Sequence, residues 1–411
     1  VALTRRQVFR RRRIAVFGSI ALVLGVAFYL PMTLLAPLNS ADPVVAKHQV
    51  LPGPAAQLSF PGYGGSAIGA IGFDGVLARS GSLGPLPMAS ITKLVTMLVI
   101  LQVKPLSLGQ QGPSITMTSK DVGFYSHYLS LDGSVAPVKA GWTFTQHELM
   151  ELTLVHSANN YAASLAVWAF GSMDSYLAAA KSWVAAHKLS SMTITDPTGI
   201  EPTDAANTSD LLTLGKLAIA NPIIAAIVGT KSITIHDAGT FTNTNALLGS
   251  DGIDGIKTGT LNGSGSNLLF AANHRVGTTT VTIVGVVLGG QNHELLDTDI
   301  QTLMTGVFAG FHEVQLVTKG DVFARYTSAW GQTTTAVAEQ SARVVTWSNA
   351  SVTSASTVTP VTIGTRSQGV GTVTFTVSGH TIRVPLGLSN SLTDPGPGWR
   401  LSHPGLITAA P

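Results

Sequence analysis

Six arginines crowd the first thirteen positions (Arg5, Arg6, Arg10, Arg11, Arg12 and Arg13), and an uncharged run of 25 residues, Ile14–Leu38, follows them. At about 1.5 Å of rise per residue, a helix of that length crosses the hydrocarbon core of a bilayer. Positive charge on one flank only leaves that flank in the cytoplasm and sends everything beyond residue 38 outward. Pro31 sits near the outer end, where it would kink or stop the helix. A cleaved signal peptide is the alternative. It calls for a shorter apolar segment and small residues at the cut, which Ala36-Pro37 and Asn39-Ser40-Ala41 supply poorly. The sequence thus predicts residues 1–38 as a cytoplasmic Arg-rich arm and a transmembrane helix. The protein would be single-pass on the cell membrane, its body on the extracytoplasmic side.

The same arginines distort the overall charge. The formal net charge is +3, yet residues 39–312 carry 12 Lys/Arg against 17 Asp/Glu, a net −5, and residues 313–411 carry 6 against 4, a net +2. Nucleic-acid binding needs a basic stripe on the folded body, so no nucleic-acid partner is expected. The absence of cysteine removes disulfides, Cys-ligated metals and thiol nucleophiles. With 45% hydrophobic and 11% charged residues over 411 positions, the chain can fill two or three domain cores.

Residues 39–57, with Pro43, Pro52 and Pro54, read as a linker. Residues 58–312 mix two periods. Ser66–Phe73 and Gly75–Arg79 read as a hairpin, and Ser90–Val103 is apolar almost all round, the mark of a buried helix. Thr145-Gln146-His147-Glu148 is a capping box. Further helices are predicted over Tyr161–Ala169, Asp174–His187 and Leu211–Ala220, the last stopped by Asn221-Pro222. Strands follow at Ser232–His236, Gly255–Thr258, Asn267–Ala272 and Thr278–Leu288. Residues 313–411 turn Thr/Ser/Val-rich with short alternating segments, which predicts a small all-β domain and a Pro/Gly-rich coil tail from Asp394. The body is therefore α+β.

No G-x-S-x-G elbow, P-loop, G-x-G-x-x-G or zincin spacing occurs. Three short motifs remain. Ser90-Ile91-Thr92-Lys93 opens the buried helix, and three residues of spacing put Ser90 and Lys93 on one face. A serine needs a base, and an amine serves only when neutral, a state that burial and a second cation both favour. A capping serine one turn from a lysine is the plain alternative. Ser157-Ala158-Asn159 lies in a helix–helix turn, where a hydroxyl can relay a proton and an amide can bind a peptide group; a turn built of turn-formers is the plain reading. Lys257-Thr258-Gly259-Thr260 ends a strand, where lysine and hydroxyls would hold a carboxylate and the glycine would let a substrate backbone approach. An exposed strand end is its plain reading. His156 beside Ser157 invites a Ser–His pairing, but a helix-end histidine explains it better.

In this order and context, the three motifs resemble those of the penicillin-recognising serine enzymes, and most closely the low-molecular-mass D-alanyl-D-alanine carboxypeptidases. The flanks Asp196-Pro197-Thr198-Gly199, Asn243-Thr244-Asn245-Ala246-Leu247-Leu248 and Gly252-Ile253-Asp254-Gly255-Ile256 agree. The resemblance implies a serine β-lactamase/transpeptidase-like domain over 58–312, an antiparallel sheet flanked by helices plus a helical lobe. It implies Ser90 as nucleophile, Lys93 as base and Ser157 as proton carrier. Asn159, Lys257, Thr258, Gly259 and Thr260 would bind substrate, with the Ser90 and Thr260 N–H groups forming an oxyanion hole. No cofactor or metal is implied. The implied partners are a peptidoglycan stem peptide, β-lactam inhibitors and the cytoplasmic membrane. Many members carry an arginine after the last sheet strand, whereas Gly289-Gly290-Gln291-Asn292-His293-Glu294 offers none, leaving His293 or Thr258 for the carboxylate. A DD-endopeptidase, a serine β-lactamase and a catalytically dead wall-binding protein are the rivals. Against the lactamase, Glu201-Pro202-Thr203-Asp204 does not match its deacylating loop.

Overall fold

Glycine-punctuated strands, of which Thr279–Gly290 is the one rich in β-branched residues, build the central sheet of the larger unit. Its five antiparallel strands run in the order Ile253–Leu261, Gly265–Val276, Thr279–Gly290, Gly65–Ala70 and Ala78–Gly81 in this computed structural model, which describes residues 4–407. Both faces are covered, so the strands read as continuous apolar runs rather than alternating ones. By strand parity, Leu269, Ala271, Val284 and Val286 face one side with the main core, where helix Thr208–Ala220 packs. Leu268, Phe270, Ala272 and Val287 face the other side. Phe270 lies across Gly285, where a Cβ would come 2.1 Å from its ring. Helix His293–Ala309 packs against strands Gly265–Val276 and Thr279–Gly290.

A helical lobe surrounds helix Thr92–Val103, whose side chains are buried from Thr92 through Leu101. Helices Gln146–Leu154, Asn159–Phe170 and Met173–Ala186 enclose it. The capping box forms as expected: Thr145 Oγ1 accepts from the Glu148 N–H at 3.2 Å while the Thr145 N–H donates to Glu148 Oε2 at 2.7 Å. Asn221-Pro222 ends one helix and starts another. Asn221 Oδ1 caps the N–H groups of Ile223 and Ile224, proline sits at the first helical position of Pro222–Val228, and the axis turns by 99°. Helices Ser119–Ser130 and His293–Ala309 were not anticipated from the sequence.

Contacts divide the chain into two units: residues 54–312 with Trp347–Asn349, and the remainder. The second unit carries a six-stranded antiparallel sheet ordered Val44–Val45, Val322–Thr327, Thr333–Ala338, His380–Leu388, Gly369–Val377 and Val352–Val358. Its side chains alternate between buried and open, as a one-sided sheet requires, over a core of Phe323, Tyr326, Val373 and Phe375. The stretch read from the sequence as a linker contributes to this sheet. Val44 and Val45 pair with Arg325 and Ala324, Ala41 bridges to Val361, and the His48 ring packs on Phe323 at 4.9 Å. The tail expected as coil forms two short helices, Pro397–Ser402 and Pro404–Ile407. Arg400 ties that segment down by pairing with Asp394 and donating to the Ala36 carbonyl.

Helix Arg5–Leu34 takes in the arginines and the apolar run as far as Leu34, and is the one described helix that by itself is long and apolar enough to cross a membrane. Its most apolar window is 0% buried.

Candidate active site

Ser90 occupies a single 3-10 turn, Ala89–Ile91, that feeds the buried helix. Lys93 Nζ lies 2.7 Å from Ser90 Oγ and 2.9 Å from the Thr198 carbonyl oxygen. That carbonyl is held in place by Asp196, whose carboxylate accepts from the N–H groups of Thr198, Gly199 and Glu201 and from the Thr198 hydroxyl. The backbone at Ala89 is left-handed (φ 49°), and Gly199 presses against it so closely that a Cβ there would sit 1.9 Å from the Ala89 oxygen. A non-glycine residue in this region costs about 1–3 kcal/mol, which the surrounding packing must offset.

Lys93 is fully buried. Desolvation, and then the Lys257 charge, push its pKa well below the ordinary lysine value, while Asp196 and Asp204 oppose that shift. An amine so placed donates to Ser90 when charged and can accept from it, along the same line, when neutral. Lys257 is also buried, and desolvation lowers its pKa to about 7. Its Nζ lies 3.3 Å from Thr258 Oγ1 and 3.4 Å from Thr244 Oγ1, and the two hydroxyls are 2.5 Å apart. Among the described residues neither lysine has an ion-pair partner.

Ser157 is buried and left-handed (φ 65°), in the turn between Gln146–Leu154 and Asn159–Phe170. The strain falls at one motif position, Ser157, and on the residue just before another, Ala89, a pattern typical of functional sites. Thr244 connects this turn to the strand, its N–H donating to Val155 at 3.1 Å. Asn159 carries a buried side-chain oxygen with no partner, so that atom is free for a ligand. His156 does not form a Ser–His pair. Its Nε2 meets the Val135 carbonyl at 3.3 Å, its ring lies against Phe241, and burial first of all lowers its pKa.

A cleft of about 300 Å³ is lined by one residue of each motif, Ser90, Asn159 and Thr260, and by Ser134, Glu201 and Asn262 among others, while Lys93, Ser157, Lys257 and Thr258 stand behind its wall. The structure thus brings together all three sequence motifs. Gly259 departs from its expected role, because its close approach is to protein: a Cβ would meet the Met88 oxygen at 2.9 Å, Ala89 Cβ at 3.0 Å and Ser90 N at 3.2 Å. The glycine lets the strand lie against the Met88–Ser90 turn. The sequence reading assigned no role to Thr244 or Asp204. Asp204 is buried, with its pKa raised to about 7 by desolvation and by Asp196. Its Oδ1 accepts from the N–H and hydroxyl of Thr195. Both residues lie in or beside the quoted flanks, but a single sequence offers no signal for their contacts.

An antiparallel sheet packed with a helical lobe, with serine and lysine at the head of the lobe's central helix, defines the penicillin-binding, transpeptidase-type fold. Solved structures agree. Penicillin-binding protein 6B of Escherichia coli superposes at a TM-score of 0.59 with 18% identity, over 84% of this chain and 98% of that one. The profile of the D-alanyl-D-alanine carboxypeptidase family matches residues 74–292, and the chain belongs to that family. Two curated relatives are the carboxypeptidase DacC of Escherichia coli K12, 27% identical over 243 residues, and a D-alanyl-D-alanine endopeptidase of Pseudomonas aeruginosa, 29% identical over 192. The matches cover 58% and 45% of this chain, and span 59% and 58% of the relatives' own lengths.

Proposed function

We propose that this protein is a membrane-anchored serine D-Ala-D-Ala carboxypeptidase that trims the terminal D-alanine from peptidoglycan stem peptides. The 2.7 Å contact between the Ser90 hydroxyl and a fully buried lysine amine is the observation that carries the reading. Neutral Lys93 takes the proton as Ser90 Oγ attacks the penultimate D-alanine carbonyl. The developing oxyanion meets the N–H groups of Ser90 and Thr260. Ser157 and Lys257 pass a proton to the departing D-alanine amine, Asn159 holds the substrate backbone, and Thr258 with Lys257 receives the terminal carboxylate. Gly259 seats the strand that presents them. Water then hydrolyses the acyl-enzyme, and penicillins acylate the same serine.

The residues of helix Arg5–Leu34 bear on location. An apolar helix exposed along its most apolar window, with arginines at one end only, favours a span with the arginines cytoplasmic and residues 58–312 extracytoplasmic. The domain assignment proposed is a membrane segment over 1–38, a catalytic domain over 58–312 and a β domain over 313–411. The intervening residues 39–57 begin as part of the β sheet.

The test is D-alanine release from an acyl-D-Ala-D-Ala peptide by the full-length chain in detergent. Wild type releases it and Ser90→Ala does not; equal release by both removes Ser90 from the role. The endopeptidase relative keeps a second reading open, and it is distinguished by cleavage of a D-Ala–diaminopimelate cross-link without free D-alanine.

A further inference from the structure

Thr260 lines the cleft beside Ser90, and its hydroxyl has a partner: Oγ1 lies 2.7 Å from Nε2 of His293, the first residue of helix His293–Ala309. Among the described residues that line the cleft there is no lysine, arginine or histidine, whereas two acidic residues, Asp132 and Glu201, are among them. A substrate that ends in a carboxylate meets repulsion there unless a cation stands close behind the wall. Lys257 is one such group, held behind Thr258; the imidazole behind Thr260 is the other.

We propose that His293 is a proton-gated cation that recruits the substrate's terminal carboxylate through the Thr260 hydroxyl. This deepens the carboxypeptidase reading and rests on it. The device follows from hydrogen-bond inventory. In a protonated imidazole both nitrogens are donors, so Nε2–H donates to Thr260 Oγ1 and the hydroxyl proton is left free to point at the carboxylate. In a neutral ring whose Nε2 bears no proton, Thr260 must donate to the ring and offers the carboxylate only lone pairs. Protonation therefore adds a positive charge one hydroxyl away and turns Thr260 from acceptor to donor as seen from the cleft.

The surroundings set where this happens. Burial first, then the charge on Lys257 in the facing strand, hold the His293 pKa below its ordinary 6.5. On its own helix Glu294 and Asp297 are the nearest acids in sequence, and neither forms an ion pair with the ring. On the packed strand Gly265–Val276 the titratable groups are His274, stacked on Phe308 at the other end of the helix, and Arg275. Asp299 is bonded to Tyr63. No acid thus pins the ring in its charged form, and the charge is present only as pH falls below that depressed pKa.

The experiment is a pH series, 4.5 to 8, of KM and kcat for an acyl-D-Ala-D-Ala peptide and its C-terminal amide, using the full-length chain in detergent. For wild type, KM for the free acid falls by about tenfold toward acid, the scale of one charge-assisted hydrogen bond, while KM for the amide does not move. His293→Gln loses the part of that fall lying below about pH 6, where Lys257 is already charged, and His293→Arg, with a permanent cation, holds a low KM across that acid range. That rescue separates recruitment from folding, and kcat keeps its wild-type pH dependence in both. An active wild type whose free-acid KM matches that of His293→Gln at every pH overturns the proposal and leaves the carboxypeptidase reading standing. Wild type with no D-alanine release at any pH overturns both.

Discussion

Two helices of this protein have nearly the same character and opposite surroundings. Thr92–Val103 and the apolar part of Arg5–Leu34 are both hydrophobic all round, so neither shows an amphipathic stripe. The first is enclosed by protein from Thr92 to Leu101; the second is exposed along its most apolar window. Each also handles cations differently. The long helix keeps its arginines outside the apolar run, whereas the short one carries Lys93 inside the core. On the proposed function, the charge excluded from the apolar helix serves as an address and the one forced into it as a base. Composition alone does not separate the two cases; length and flanking charge do.

That contrast can be attacked from both ends. Lys93→Ala, which removes the proposed base, is expected to slow penicillin acylation by about 10³-fold, within the usual range for general-base loss. A stopped-flow acylation rate close to wild type would separate burial from basicity. Truncation in the enclosed helix, Ile100→Ala, should cost about 2–5 kcal/mol in denaturant melts, while Leu22→Ala in the exposed helix leaves that transition where it was. A lysine placed mid-span, Leu24→Lys, opposes insertion by about 3 kcal/mol, and the membrane-bound fraction in flotation assays should drop with catalysis unaffected.

The smallest effect is a pH slope. Lys257, with a pKa near 7 when folded and 10.5 as its reference, binds fewer protons folded than unfolded between those values. Stability therefore rises with pH across that window, at up to about 1.4 kcal/mol per unit for each such lysine. Asp204 acts in the other sense. Raised from 3.8 to about 7, it binds more protons when folded, so stability falls as pH climbs through that range. Urea melts should show a minimum near neutrality, and Lys257→Met should flatten its alkaline side.

The motifs were legible because each is local: S-x-x-K reads on one helical face, and K-T-G reads on one strand. The packing around them was not. Asp196 holds the Thr198 carbonyl against Lys93 across 105 residues of chain, and no periodicity reveals that. Gly259 was rightly singled out as a close-approach glycine, but the approaching group is the Met88–Ser90 turn. Helix His293–Ala309 escaped because its polar start, His293-Glu294, resembles the loop before it, although Asn292 caps it through the Leu295 N–H. The segment 39–57 looked like a spacer for its prolines, while Val44-Val45 is a strand supplied by pairing with Val322–Thr327 rather than by its own pattern. Edge pairing of two residues leaves almost no trace in sequence.

The account stands on Ser90 being acylated with Lys93 as its base. Peptide mapping by mass spectrometry after brief exposure of the full-length chain to benzylpenicillin tests this most directly. One adduct on the peptide containing Ser90, absent from Ser90→Ala and slowed to near background in Lys93→Ala, is the predicted result. An adduct on Ser157 or any other hydroxyl, or one that persists in Ser90→Ala, would contradict it.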